Sequence, residues 1–367
     1  MKIFVTGTRG VPTIPGGVER HCEKLYPIIA AQGHEVMLSR RSCYVDQPLT
    51  EWQGVSLVDI FAPRQKSIEA IVHTALSLIL ARRWGAHVLH VHAIGPALVV
   101  PLARILGMKV VVTNHGPDYD RQKWSSMAKR VLRLGEYLGC KYANEVIVVS
   151  EHIRRIVSER CGRDSNLIYN GVPVPVISTA TTYLQSLGIT PGRYLLAVAR
   201  LVPEKGLHDL FDAFELMEGE LKLVIAGDAD HEDKYSAGLK QRASHNPNII
   251  MPGYVTGDDL SQLFSHARVF VLPSYHEGLP ITLLEALSYG LTVVISNIPA
   301  NTEIQLNDES YFETGNVQAL ANCLKRAVRC EVNSIHKERI RHMVAEKYNW
   351  EYIANQTLDV YRKLAVS

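Results

Sequence analysis

The stretch His276-Glu277-Gly278-Leu279-Pro280-Ile281-Thr282-Leu283-Leu284-Glu285 sets two carboxylates eight positions apart and joins them through a Gly-Leu-Pro turn that opens a helix. Upstream, Val269 to Leu272 reads as a short buried strand ending at Pro273 and Ser274. Pro280 suits the first turn of the helix, where its missing N–H costs nothing. Glu277 is therefore expected in the loop and Glu285 inside the helix. Between them the free amides of Leu279, Ile281 and Thr282 would lie at the positive end of the helix dipole, where a diphosphate is favourably held. The loop carboxylate, with Gly278 beside it, can reach sugar hydroxyls, and the helical one can accept from a ribose. Taken alone, such a pair also fits an ordinary strand, loop and helix with one surface and one satisfied buried glutamate. Glu285 shifts that balance, because it stands in the run Leu283-Leu284-Glu285-Ala286-Leu287 and a carboxylate in such company needs a partner.

Outward from this unit, the second half of the chain reads as five strands, at 194–199, 222–226, 249–251, 269–272 and 292–296, separated by helical segments. The first half has the same rhythm. Strands at 3–6, 35–39, 88–91, 109–113 and 146–149 alternate with helices at 18–32, 96–106 and 123–143, the last of them basic. Parallel sheets covered on both faces follow from such repetition. The turn-rich run from Tyr169 to Pro175 marks a hinge. The division expected is therefore 1–172, 173–348 and a terminal helix 349–367 whose wide apolar face needs a partner, either locally or back on the first domain. Two Rossmann-like α/β domains facing across a cleft are the simplest architecture, with the carboxyl ends of both sheets lining it.

Several residues fall at those strand ends. Arg200 and Lys205 follow the strand at 194–199; two cations there can neutralise a pyrophosphate and the charge that builds on it as it leaves. Tyr254 and Val255, after 249–251, can present backbone groups to a nucleobase. The first loop, 7–20, is not a dinucleotide fingerprint, because Gly7 and Gly10 are followed by no third glycine in place. It reads instead as a flexible loop whose Gly16 and Gly17 amides approach a diphosphate without side chains in the way, or as a plain helix-start turn. His115 ends a buried-looking strand where an imidazole can meet a transferred sugar or its acceptor, although most of fifteen histidines have no such task. Asp118 and Arg121 can order an acceptor, or simply make a polar loop.

The net charge of +2 conceals an asymmetry of +8 over residues 1–180 and −6 over the rest. A basic first half should face something anionic, such as a phosphate-bearing acceptor or a membrane surface. Its dispersed charges, poor in interleaved aromatics, do not suit nucleic acid. The six cysteines show neither metal spacing nor a secreted framework and read as reduced, in a cytosolic protein. The most apolar window, 71–81, is too short to span a bilayer, and the opening Met1-Lys2-Ile3-Phe4-Val5 enters a strand directly with no signal peptide, so a soluble or peripheral chain is expected.

Together, Gly16-Gly17, His115, Arg200, Lys205 and the Glu277/Glu285 pair resemble the retaining glycosyltransferases of family four, which have the GT-B fold, and the likeness runs from the opening strand to the final helix. The opening Gly7-Thr8-Arg9-Gly10-Val11-Pro12, with Asn114-His115-Gly116 and Lys123-Trp124, also resembles a bacterial branch that contains rhamnosyl- and related transferases of surface-polysaccharide assembly. Where that branch has a Leu-Glu-Trp-like run this chain has Pro117-Asp118-Tyr119-Asp120, which leaves the acceptor contacts open. The resemblance implies a nucleotide-diphosphate sugar donor, a glycan or lipid-linked acceptor, retention at the anomeric carbon, and no cofactor or obligatory metal. In place of a cation, Arg200, Lys205 and the helix amides would take the diphosphate charge. A sugar-nucleotide epimerase of the same fold and a non-enzymatic sugar-nucleotide sensor are the rival readings.

Overall fold

The computed structural model describes the chain except for residues 46–47, 66–67, 121–124, 218, 230–231, 331–333 and 367. It forms two compact units, Met1–Gly171 with Trp350–Ser367, and Val172–Asn349.

The first unit is built on an eight-stranded sheet of order β3-β4-β2-β1-β5-β6-β7-β8. Its strands are β1 Lys2–Thr6, β2 Glu35–Arg41, β3 Glu51–Trp52, β4 Val55–Ile60, β5 Val88–His92, β6 Val110–Asn114, β7 Glu145–Val148 and β8 Asn166–Leu167. All pairs are parallel except β3 with β4. Ile3, Phe4 and Val5 are successive and all fully buried, as a strand covered on both faces requires. The sheet order reverses between β1 and β5, so the loops leaving these two strands flank the crevice where doubly wound sheets bind ligands.

The short strands β3, β4 and β8 were not among those read from sequence. β4 did carry a signal, since Val55, Leu57 and Ile60 are buried while Ser56 and Asp59 are exposed. The window 71–81 lies inside the helix Glu69–Trp84, and among the described residues no helix is long and apolar enough to cross a membrane. The single helix expected over 96–106 is a 3₁₀ turn, Pro96–Val99, followed by the helix Val100–Ile105. Pro101 explains the break, because it has no N–H with which to continue the ladder. The last helix, Trp350–Val366, belongs to this unit, and its Ile353, Leu358, Tyr361 and Leu364 share one core with Leu25, Tyr26 and Ile29 of the helix Gly17–Ala31.

The second unit has a wholly parallel six-stranded sheet of order β11-β10-β9-β12-β13-β14. These strands are β9 Tyr194–Val198, β10 Lys222–Ala226, β11 Ile249–Gly253, β12 Val269–Leu272, β13 Thr292–Ser296 and β14 Tyr311–Phe312. β14, only two residues long, is one strand more than the apolar runs revealed. The core gathers Leu195, Phe211, Val271, Leu320 and Leu324. Here the order reverses at β9 and β12, which places the loops carrying Lys205 and Glu277 side by side.

Candidate functional site

The loop after β9 runs into a 3₁₀ turn, Pro203–Lys205, and then to Gly206 at φ +63°. A Cβ on Gly206 would stand 2.1 Å from the Pro273 carbonyl oxygen, so only glycine allows this loop to lie against the one after β12. The Tyr275 amide donates to the Glu204 carbonyl at 2.9 Å and laces the two loops together. Lys205 Nζ consequently reaches Glu277 Oε1 at 2.6 Å, and Ser274 Oγ donates to the same oxygen at 2.7 Å. Burial by itself would raise the Glu277 pKa. The Lys205 ammonium and the hydrogen bonds from Lys205 and Ser274 outweigh it, and the carboxyl is held below its ordinary value of 4.5. Ser274 follows the strand-ending Pro273 directly, and that place is the one signal in the sequence for its part in the site.

The helix that follows spans Ile281–Ser288. Pro280 is its N-cap, extended at φ −76° and ψ 104°, rather than a residue of its first turn. The Pro280 carbonyl accepts from the amides of Leu283 and Leu284, both at 3.2 Å. The amides of Ile281 and Thr282 precede any intrahelical acceptor, and the positive end of the helix falls on them. Glu285 is buried on this helix among Leu283, Leu284 and Ala286. Gly278 and the buried Leu279 lie in the loop ahead of it, Arg200 is half-buried just past β9, and Tyr254, exposed, and Val255, buried, follow β11. One unit thus brings Lys205 and Glu277 into contact, with Arg200, Tyr254, Val255, Gly278 and Leu279 on loops after its strands and Ile281, Thr282 and Glu285 on the helix that follows.

In the first unit the loop between β1 and the helix Gly17–Ala31, expected to be flexible, is tied down. Glu19, which no sequence motif singled out, accepts from Thr8 Oγ1 at 3.3 Å, the Arg9 amide at 3.1 Å and Arg9 Nε at 3.2 Å. The Arg9 guanidinium also donates to the Pro15 carbonyl. Burial opposes charge on Glu19, yet the Arg9 charge and hydrogen bonds hold its pKa below 4.5. Gly16 is packed against this pair, whereas a side chain on Gly17 would meet nothing within 4 Å. Gly16 therefore has no room for a side chain, and Gly17 has.

His115 lies at the end of β6 in a cluster of four imidazoles. Its Nε2 is 2.9 Å from His92 Nδ1, the two rings stack at 5.2 Å, and His21 packs edge-on at 5.0 Å. Burial pushes the pKa of His115 down to about 3, with the His90 charge adding to it; His90 and His21 fall to about 3 for the same leading reason, and His92 also falls. All four are neutral at pH 7. Nitrogens of His21, His92 and His115 lie within 4.8 Å of one another, near enough to raise the question of a metal ion. However, two imidazoles on one tetrahedral ion hold their nitrogens about 3.3 Å apart, from bonds of about 2.0–2.1 Å. The 2.9 Å contact is that of a shared proton. The sequence did carry a signal for this cluster in His90-Val91-His92, whose alternation puts two imidazoles on one face of β5.

Asp118 opens a 3₁₀ turn, Asp118–Asp120, in which Tyr119 is buried. The Tyr119 hydroxyl and Asn114 Nδ2 each donate to Glu136 at 3.0 Å, and the Arg133 and Arg160 guanidinium groups each lie 5.1 Å from the Tyr119 ring centre. The neighbouring cavity of about 410 Å³ is lined by Arg133, Glu136, Tyr137, Arg160 and Cys161. Arg121, the other residue expected near an acceptor, lies outside the described residues, as do Lys123 and Trp124.

Two family descriptions match successive parts of the chain: Glycosyltransferase Family 4 over residues 15–174 and Glycosyl transferases group 1 over residues 180–349. The chain belongs to the GT-B glycosyltransferases. An uncharacterized glycosyltransferase of Methanocaldococcus jannaschii is 27% identical to it over 99% of this chain and 98% of the relative. The UDP-Gal:alpha-D-GlcNAc-diphosphoundecaprenol alpha-1,3-galactosyltransferase of Escherichia coli is 24% identical over 100% and 98%. Among solved structures, sucrose-phosphate synthase from Thermosynechococcus elongatus superposes with a TM-score of 0.86 at 21% identity, covering all of both chains. HepE of Anabaena, solved in complex with UDP-glucose, gives 0.82 at 18% identity over 99% of each chain. These two likenesses show the fold. In this glycosyltransferase the group 1 match contains Arg200, Lys205, Glu277 and Glu285, and the family 4 match contains Gly16, Gly17, His115 and Asp118.

Proposed function

We propose that this glycosyltransferase moves a hexose or deoxyhexose from a nucleotide-diphosphate donor to a hydroxyl of a glycan or lipid-linked acceptor, with retention at the anomeric carbon and without an obligatory metal. The observation that carries the reading is the Lys205–Glu277 contact beside the open amides of Ile281 and Thr282, all at the switch point of one sheet. Arg200, Lys205 and the helix amides neutralise the diphosphate, which takes the place of a cation in stabilising the leaving group. Glu277, kept ionised, accepts from sugar hydroxyls together with the Gly278–Leu279 loop. Glu285 accepts from the ribose, and the Tyr254–Val255 backbone meets the base. The leaving diphosphate takes the acceptor proton in a front-face displacement, and His115 contacts the transferred sugar. Asp118 and Arg121 order the acceptor.

The Escherichia coli relative is named for a diphosphoundecaprenol-linked acceptor, which favours a role in surface-polysaccharide assembly, as does the likeness to the rhamnosyltransferase branch. A peripheral membrane contact on the cytoplasmic side suits such an acceptor. The helix Ser126–Tyr142 supports it by exposing Met127, Leu134 and Tyr137 among Arg130, Arg133 and Lys141. Incubation with a panel of nucleotide sugars and lipid-linked acceptors tests the whole reading: a new glycoside with the anomeric configuration of its donor is expected. An isomerised donor would turn the reading into an epimerase, and an unchanged, bound donor into a sensor.

A further inference from the structure

The imidazole of His115 is the end of a buried hydrogen-bonded chain that starts on the last helix of the protein. Tyr361 OH lies 2.5 Å from His90 Nδ1, and His90 Nε2 lies 2.7 Å from Thr113 Oγ1. Tyr26 OH lies 2.5 Å from His92 Nε2 and 2.9 Å from His90 Nδ1, and within hydrogen-bond reach of the Tyr361 hydroxyl. His92 Nδ1 then meets His115 Nε2 at 2.9 Å. Tyr26, Tyr361, His90 and His92 are all completely buried, so water cannot substitute for any of these partners.

The proton positions follow from counting. Each phenol has one O–H, each neutral imidazole one N–H. A phenol O–H is the better donor and an imidazole nitrogen the better acceptor, and hydroxyl donors make the shorter contacts. Assigning each phenolic proton to the ring nitrogen 2.5 Å away gives Tyr361 to His90 Nδ1 and Tyr26 to His92 Nε2. His90 must then carry its proton on Nε2, where Thr113 Oγ1 accepts it. His92 must carry its proton on Nδ1, where His115 Nε2 accepts it. Both phenols and all four ring nitrogens of His90 and His92 then have a partner.

We propose that Tyr26 and His92, supported by His90 and Tyr361, are positioning residues that lock His115 in its Nδ1–H tautomer. Nδ1 has no protein partner among the described residues, so the nitrogen that His115 offers a ligand is a hydrogen-bond donor. It gives a proton contact to an oxygen and takes none away, which bars His115 from acting as the base toward an acceptor hydroxyl through that atom. That the oxygen belongs to a sugar donor rests on the function proposed above; the tautomer does not.

Long-range proton–nitrogen correlation NMR on protein labelled with ¹⁵N in its histidine rings reads the tautomer without any substrate, with the His115 signals assigned through His115→Asn. The Nδ1–H form is expected for His115 in the unmodified protein. Tyr26→Phe removes the donor to His92 Nε2 and keeps the ring, and should shift His115 largely to the Nε2–H form. Tyr361→Phe draws the Tyr26 proton to His90 and should shift His115 the same way from two hydrogen bonds further off. An Nε2–H His115 in the unmodified protein, or a tautomer unmoved by both substitutions at preserved thermal stability, would overturn the inference. Once a donor is known, kcat should fall at least about tenfold in Tyr26→Phe with the donor KM little changed. Failure to find transfer would count against the proposed function and leave the NMR result standing.

Discussion

Lys205 Nζ and Glu277 Oε1, seventy-two positions apart in the chain, lie 2.6 Å from each other because Gly206 lets the loop after β9 touch the loop after β12. The ion pair is largely removed from water, with side-chain exposures of 19% and 9%. Such a pair is worth little over an apolar replacement, yet breaking it strands a charge. Its place at the switch point of the sheet, rather than its contribution to stability, accounts for it best.

Lys205→Ala should lower glycosyl transfer at least ~10-fold, about 1.4 kcal/mol of lost transition-state stabilisation. It should also cost about 3 kcal/mol of stability by leaving Glu277 unpaired. The double variant Lys205→Met, Glu277→Gln separates the two effects: denaturant unfolding should show stability recovered, while turnover stays low. Full activity in either variant would remove Lys205 from the site.

Glu285→Gln should weaken binding of the nucleotide product, read by calorimetry. Equal affinity would assign this buried carboxylate to the packing of its helix.

Gly206→Ala should destabilise the second unit by about 1–3 kcal/mol, since it forces a Cβ onto the Pro273 carbonyl and keeps φ at +63°. The midpoint of chemical unfolding measures this. An unchanged midpoint would mean that the loops separate without penalty.

Stability of the first unit should fall as pH drops below about 6.5. The four clustered histidines have folded pKa values depressed from 6.5, to about 3 for His21, His90 and His115, so the unfolded chain binds protons first. Their contribution is complete above 6.5 and is lost as the pH falls toward 3. Each imidazole that stays neutral adds a slope approaching about 1.4 kcal/mol per pH unit. Thermal melts across that range check it.

Turnover should survive EDTA, because cationic side chains and helix amides are assigned the diphosphate charge. A strict requirement for a divalent cation would contradict that assignment.

The sequence by itself determined the alternation of strands and helices, because a strand buried on both faces must read as an unbroken apolar run, as 3–5, 269–272 and 293–295 do. It also exposed the chemistry-bearing strand ends, since a polar or glycine-rich run directly after such a strand has little freedom in where it emerges. What it could not show were relations set by packing. Glu19 looks like any helical glutamate until Arg9 folds onto it, and β14 is too short to leave a pattern. The pairing of Lys205 with Glu277, and the chain from Tyr361 through His90, Tyr26 and His92 to His115, join residues up to 271 positions apart, the span from His90 to Tyr361. No local spacing encodes such contacts. They exist because sheet order, fixed by the burial of whole strands, brings distant loop ends together within the second unit and packs the terminal helix within the first.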